Sequence, residues 1–384
     1  MKITHVLNAL IKGGGERVAV DLANQAVEDG HEVTVIVGWQ VDPAILRNEL
    51  QSNIKVFHIS LLKTSNLRLY LNAFIWLCQN RFWLVTQDII HCHLSFGATF
   101  GSLVICLRTF LISCGPAVIE TYHSVGMPLS TSHHWIRSKM ATRFDAFVLM
   151  ARDDYWNKFI RSHPGLLTAT IFNGISFKRL SNTDTTFGLS YKKKIGVSND
   201  CNLVVGTISM LRTDRKPWLF LQIFSEISKN CDLKVEFVIV GEGVERDRLK
   251  DLIVEYGLEG KVHLPGISFD PRYPLSAMDL FIALNIGPVT GIAALEAACL
   301  GLPVLGIQMN SCYQTKSTDW IWSSSNPIEV ASKSIELIIN NKERQLLAEK
   351  QASIVRAHHM VEIMAQSYYE IYKQAIQKLK EIKH

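Results

Sequence analysis

Short apolar runs alternate with helical patterns along this chain, and the alternation occurs twice. Residues 2–8, 31–37, 88–93, 117–123, 144–150 and 168–175 read as strands of a first half. Residues 203–209, 234–240, 279–283 and 303–307 read as strands of a second. Helical patterns such as 218–228 and 244–256 separate them, and a long helical segment runs from 327 to the end. Strands that alternate with helices call for parallel sheets, so the expected class is α/β. Residues 176–200 are rich in Lys, Ser, Thr and Asn, which places a domain boundary there. The 384 residues are enough for two domains of ordinary size, each with its own core.

Several stretches carry chemistry. From Gly291 onward, Ala293, Ala294, Leu295, Ala297 and Ala298 are helix formers, Gly301 stops the helix, and 303–307 is the next strand. Glu296 therefore sits just inside a helix. The unpaired N–H groups and positive dipole end of such a helix suit phosphates, with Glu296 free to accept hydrogen bonds from sugar hydroxyls. A solvated Glu296 that simply favours the dipole is the alternative. Gly13, Gly14 and Gly15 open an amphipathic helix after the first strand, where backbone can approach a phosphate or sugar; a tight turn without ligand uses glycines equally well. His93 and His123 end two strands, and ligands of open parallel sheets sit beyond the carboxyl ends of strands. Both could face one cleft, or both could hydrogen-bond to the loops beside them. Arg212, Arg215 and Lys216 follow the first strand of the second half, as an anion site or as a solvated loop.

These motifs together resemble the signature of the retaining glycosyltransferases of family 4, which have the GT-B fold of two Rossmann-like domains facing across a cleft. In that family a Glu, seven intervening residues and a second Glu precede a small-residue helix and a Gly-x-Pro-Val strand. Glu296 matches the second Glu, which holds the donor ribose, and Gly291 matches the glycine that admits the donor. The first Glu is replaced by Pro288, so its contact to the donor sugar does not carry over; Thr290 or the backbone N–H groups from Val289 to Ile292 are expected to take its place. The glycine loop matches the family's donor loop, His123 the His of its Thr-x-His strand end near the donor sugar, Asn173-Gly174-Ile175 its Asn-Gly-Ile before the linker, and Gly241-Glu242-Gly243 its Gly-x-Gly. The family also carries Arg-Leu-x-x-x-Lys, whose cations hold the diphosphate. Aligned through Leu211, Met210 takes the Arg position and Arg215 the Lys position; a shift of one residue puts Leu211 and Lys216 there instead, and Arg212 or Lys216 could compensate for the lost cation.

The resemblance implies a retaining hexosyltransferase that moves a sugar from a nucleotide diphosphate sugar to a glycan, lipid-linked, in bacterial-type surface polysaccharide synthesis. The alternative is a catalytically weak homologue that works as a nucleotide-sugar or glycan-binding scaffold. On the first reading His123, Arg215 and Lys216 are catalytic, Gly13, Gly14, Gly15, Arg212, Thr290, Gly291, Ile292 and Glu296 bind the donor, and His93 meets the acceptor. Residues 1–178 form the acceptor domain, 179–357 the donor domain, and 358–384 a helix that packs back on the first domain. No cofactor and no metal are expected, because cations and helix ends can bind the diphosphate and no Asp-x-Asp motif stands at the expected site.

A net charge of +5 without a long basic tract argues against nucleic acid as a partner. Eight cysteines with no Cys-x-x-Cys pair suggest a reduced compartment and no zinc, and the amino terminus enters a strand pattern at once, with no signal peptide. Gly97, Gly101 and Arg108 make 94–114 a buried helix in preference to a membrane span. Residues 61–83 and 133–139 with Arg143 combine apolar and basic side chains; they are either interfacial helices or core helices with solvated charges. The expected location is cytoplasmic, with peripheral contact to the inner membrane leaflet.

Overall fold

The computed structural model divides the chain into two units, one of Met1–Gly174 with Val361–His384 and the other of Ile175–Met360. The structure describes all residues except 12, 61–64, 110–114, 124–130, 182–183, 286–288, 309–319 and 382–384. The first unit holds strands β1 (Lys2–Leu10), β2 (Glu32–Val41), β3 (Lys55–His58), β4 (Ile89–His93), β5 (Ala117–Tyr122), β6 (Ala146–Leu149) and β7 (Thr168–Thr170). They pair in parallel in the order β3-β2-β1-β4-β5-β6-β7. In the second unit β8 (Leu203–Ile208), β9 (Val235–Val240), β10 (Val262–Gly266), β11 (Leu280–Asn285), β12 (Val304–Gln308) and β13 (Trp322–Ser324) follow the parallel order β10-β9-β8-β11-β12-β13. Both are Rossmann-like sheets. Strand order reverses between β1 and β4 and again between β8 and β11, and a crevice at the carboxyl end of such a pair is where open sheets bind ligands.

The central strands are covered on both faces, which is why they read as unbroken apolar runs. The short strands β3, β10 and β13 lacked that signal: β3 and β10 lie at sheet edges with half-exposed residues, and β13 spans three residues. Helix Leu94–Leu107 buries Phe96, Phe100, Val104 and Leu107 on one face. A Cβ at Gly97 would lie 2.8 Å from the Val6 carbonyl oxygen, so this helix rests directly on the sheet backbone. Among the described residues no helix is long and apolar enough to cross a membrane.

Residues 176–200 are not an open linker. They form helices Phe177–Leu180 and Thr185–Ile195, the latter capped by the Asp184 carboxylate at its start and by Gly196 in the left-handed conformation (φ 81°) at its end. Three lysines in its last turn suit the negative end of the helix dipole, so the polar composition belongs to an exposed helix. The divisions fall at 174/175 and 360/361 instead of at 178 and 357. Helix Val361–Glu381 belongs to the first unit, where it buries Met364, Ala365, Tyr368, Tyr372 and Ala375. Tyr369 Oη donates to Asp29 Oδ2 at 2.8 Å, and Tyr372 Oη lies 2.7 Å from His91 Nδ1.

Candidate active site

In the second unit the strand reversal brings together the loop that follows β8 and the helix that follows β11. The loop is held by backbone packing. A Cβ at Gly241 would lie 1.9 Å from the Ser209 carbonyl oxygen, and one at Gly243 would lie 2.2 Å from that of Leu211. Only glycine permits this approach, which is the local reason for Gly241-Glu242-Gly243. The Leu211 N–H donates to the Glu242 carbonyl (3.0 Å), and the Glu245 N–H donates to the Leu211 carbonyl (3.0 Å). Thr213 Oγ1 donates to Glu245 Oε1 at 2.5 Å. On this anchored loop the cations differ. Arg212 is exposed and already doubly bonded to Asp214 (2.9 and 3.0 Å). Arg215 is half-buried, its side chain has no hydrogen-bonded partner among the described residues, and burial lowers its pKa. Lys216 is exposed with φ 45° and ψ 53°. Met210, at the position where the resembled family has an arginine, is 48% exposed.

Helix Ile292–Cys299 has Gly291 at its N-cap (φ −69°, ψ 147°) with no side-chain cap. A Cβ there would meet no atom within 4 Å, so the fold itself does not demand glycine. Thr290 is fully buried, and position 288 lies outside the described residues. Glu296 is 6% exposed and forms an ion pair with Arg179, from helix Phe177–Leu180. Its burial rules out the solvated alternative. The arginine that meets it had no sequence signal, because it stands 117 residues away in a segment read as linker.

In the first unit, Gly13 is the N-cap of helix Gly14–Glu28, and a Cβ at Gly14 would meet nothing within 4 Å. One at Gly15 would lie 3.2 Å from Leu94 Cδ2 and 3.7 Å from His123 Nδ1, so the glycine turn, the end of β4 and His123 converge. Asn8, on β1, ties these ends together: its Oδ1 accepts from the Phe96 N–H (2.7 Å) and its Nδ2 donates to Ser95 Oγ (3.2 Å). Leu94 has φ 61° and Lys216 φ 45°, the two positive values among described non-glycine residues. Leu94 opens the helix directly after β4 and Lys216 lies in the loop after β8, each following a strand of its sheet's reversal pair, and strained backbone of this kind concentrates at ligand sites.

His93, expected to meet an acceptor, is instead an internal link with a fully buried side chain. Its Nδ1 lies 3.2 Å from His123 Nε2 and its Nε2 lies 3.1 Å from His5 Nδ1. The ring of His91 packs against it, tilted, at 4.0 Å between centroids, with Nε2 2.7 Å from Thr121 Oγ1 and Nδ1 bonded to Tyr372. Burial lowers the pKa of His5 to about 3 and that of His123 to about 4, and pushes His91 and His93 well below the usual histidine range. All four are neutral at neutral pH. Nitrogens of His5, His91 and His93 lie within 4.8 Å of one another, close enough for a metal-sized ligand set, but hydrogen bonds to histidine, threonine and tyrosine already use most of them. The one available clue was register: His5 pairs with His91, and His93 follows two residues on, so all three share a sheet face.

Residues 191–353 match the family of glycosyl transferases group 1, and residues 12–154 match glycosyltransferase family 4. With two Rossmann-like sheets and these two matches, the chain belongs to the GT-B glycosyltransferases. It is similar to the O-antigen biosynthesis glycosyltransferase WclY of Escherichia coli, at 22% identity over 318 residues and 79% of each chain. Its fold is that of the HepE protein of Anabaena, solved in complex with UDP and glucose (TM-score 0.75, 20% identity, 96% of this chain and 98% of that one). A glycosyltransferase of Rickettsia africae is similar as well (TM-score 0.75, 16% identity, 98% of both chains).

Proposed function

We propose that this glycosyltransferase takes a hexosyl group from a nucleotide diphosphate sugar and adds it to a glycan, with retention of anomeric configuration, in the synthesis of a surface polysaccharide. The observation that carries the reading is Arg215: a half-buried guanidinium without a hydrogen-bonded partner among the described residues, on an anchored loop after β8, next to the strand that leads into helix Ile292–Cys299. A fixed cation in a poorly solvated place stabilises the charge that builds on a departing diphosphate without reorganising. Lys216 adds a second cation, and Arg212 is the weaker partner because Asp214 already compensates it. The N–H groups from Val289 to Ile292 and the open space at Gly291 suit close approach of the donor, with Glu296 at the ribose and His123 and the Gly13–Gly15 turn near the transferred sugar. No metal or cofactor has a part in this reading. The O-antigen relative and the UDP and glucose of the structural neighbour support the donor and acceptor classes.

The acceptor is proposed to be lipid-linked and met at the inner membrane leaflet. Helix Asn66–Gln79 buries Leu69, Ala73 and Leu77 and exposes Leu67, Leu71, Phe74 and Ile75, with Phe82 and Arg81 just beyond. Such a face, flanked by Arg68, fits an interfacial helix. Trp76 and Trp83, with ring centroids 5.6 Å apart, pack instead with Phe57 and, partly buried, against the core.

Calorimetry with a panel of nucleotide sugars, UDP-glucose first, followed by a transfer assay and NMR of the product's anomeric centre, tests the reading. Retained configuration in a transferred product is expected. Met210 at a cation position favours the second reading, a binding scaffold, which predicts bound nucleotide without transfer to any glycan.

A further inference from the structure

The contacts from His123 through His93 to His5 form a chain of three neutral imidazoles with one free proton direction. Three such rings carry three N–H groups; two are used in the two ring-to-ring contacts and the third must sit at an end. One end is His5 Nε2, buried and without a partner among the described residues. A proton there would be an orphaned buried donor, which native structures tolerate less readily than an under-used acceptor. The other end is His123 Nδ1, on a ring only partly buried, beside Gly15. His91 does not compete for either contact, since Thr121 and Tyr372 take its two nitrogens.

We propose that His5 and His93 are positioning residues that lock the His123 proton on Nδ1, so that His123 meets a sugar or phosphate oxygen at the glycine turn as a neutral hydrogen-bond donor. This rests on the reading of His123 as a substrate contact. The relay puts Nδ1–H on His5 and His93 and leaves Nε2 bare on all three rings.

Long-range nitrogen–proton correlation spectra of the full chain, labelled with 15N-histidine, read each tautomer directly. The expected spectrum of the free protein shows His123 protonated at Nδ1 and bare at Nε2. The opposite direction, an even mixture, or stoichiometric zinc held by the three buried rings overturns the proposal. In His93→Phe the preference at His123 is expected to disappear and turnover to fall roughly tenfold, with donor KM changed by less than about twofold. His93→Asn, whose amide N–H can replace Nδ1–H, is expected to restore both, and the tautomers of the parent protein decide the direction if His93→Phe does not fold. A His123 preference that survives His93→Phe overturns the relay. Saturating UDP-glucose separates the two layers: a shifted His123 Nδ1 signal supports the substrate contact, whereas an unshifted one with the tautomer as expected overturns that contact and leaves the locked proton standing.

Discussion

Arg179 and Glu296 form an ion pair in the second unit, with the glutamate side chain 8% exposed and the arginine 20%. The carboxylate proposed to hold the donor ribose is therefore already oriented by a cation. Removal of one partner from a buried pair costs about 3 kcal/mol, because the other charge is left uncompensated.

Two substitutions separate anchoring from binding. Glu296→Gln is expected to lower stability and to weaken nucleotide binding by roughly 1.5 to 3 kcal/mol, the worth of hydrogen bonds to a charged acceptor. Arg179→Met is expected to lower stability while it leaves nucleotide affinity nearly intact. Denaturant melts and calorimetry on the folded variants check both. If neither variant changes affinity, the pair is structural only and Glu296 does not touch the donor.

Arg215→Met is expected to cost turnover by roughly 100-fold, the scale of losing one donor aimed at developing charge. Its melting temperature should hold or rise, because the guanidinium leaves no hydrogen-bonded partner behind among the described residues. Full activity, or a defect in melting alone, contradicts the role. If Lys216→Ala by itself abolishes transfer, the one-residue-shifted alignment is the correct one.

The four clustered histidines tie stability to pH. In the unfolded chain they take up protons near pH 6.5, whereas in the fold His123 does so near 4, His5 near 3, and His91 and His93 also well below 6.5. Because folded pKa values are depressed for a base, the unfolded state binds more protons below pH 6.5. Stability is thus complete above that pH and falls as pH drops towards 4, by up to about 1.4 kcal/mol per pH unit for each histidine. Melting temperatures between pH 7 and 5 read this slope; a flat profile would mean that the imidazoles are not held neutral.

The exposed apolar face of helix Asn66–Gln79 gives a surface test. Leu67→Glu with Phe82→Glu should change stability by no more than about 0.5 kcal/mol, since both side chains are largely exposed. Cosedimentation with vesicles rich in anionic lipid should fall sharply. Binding that is unaffected by the double substitution, or absent in the parent protein, removes the membrane from the reading.

The sequence by itself determined the two α/β halves, because strands covered on both faces must be continuous apolar runs and their crossovers must be helical. It also determined where backbone comes close to backbone, since Gly241 and Gly243 have no substitute against the carbonyls of Ser209 and Leu211. The edge strands β3 and β10 and the helix at 185–195 were hidden, as their side chains face water and lose the apolar signature. Only the tertiary structure decided which charges and rings meet. Arg179 reaches Glu296 across 117 residues, and His5 comes opposite His91 through the register of β1 on β4. A local pattern specifies which face of an element is apolar, but the partners on that face are set by strand order and register, which no short stretch of sequence encodes.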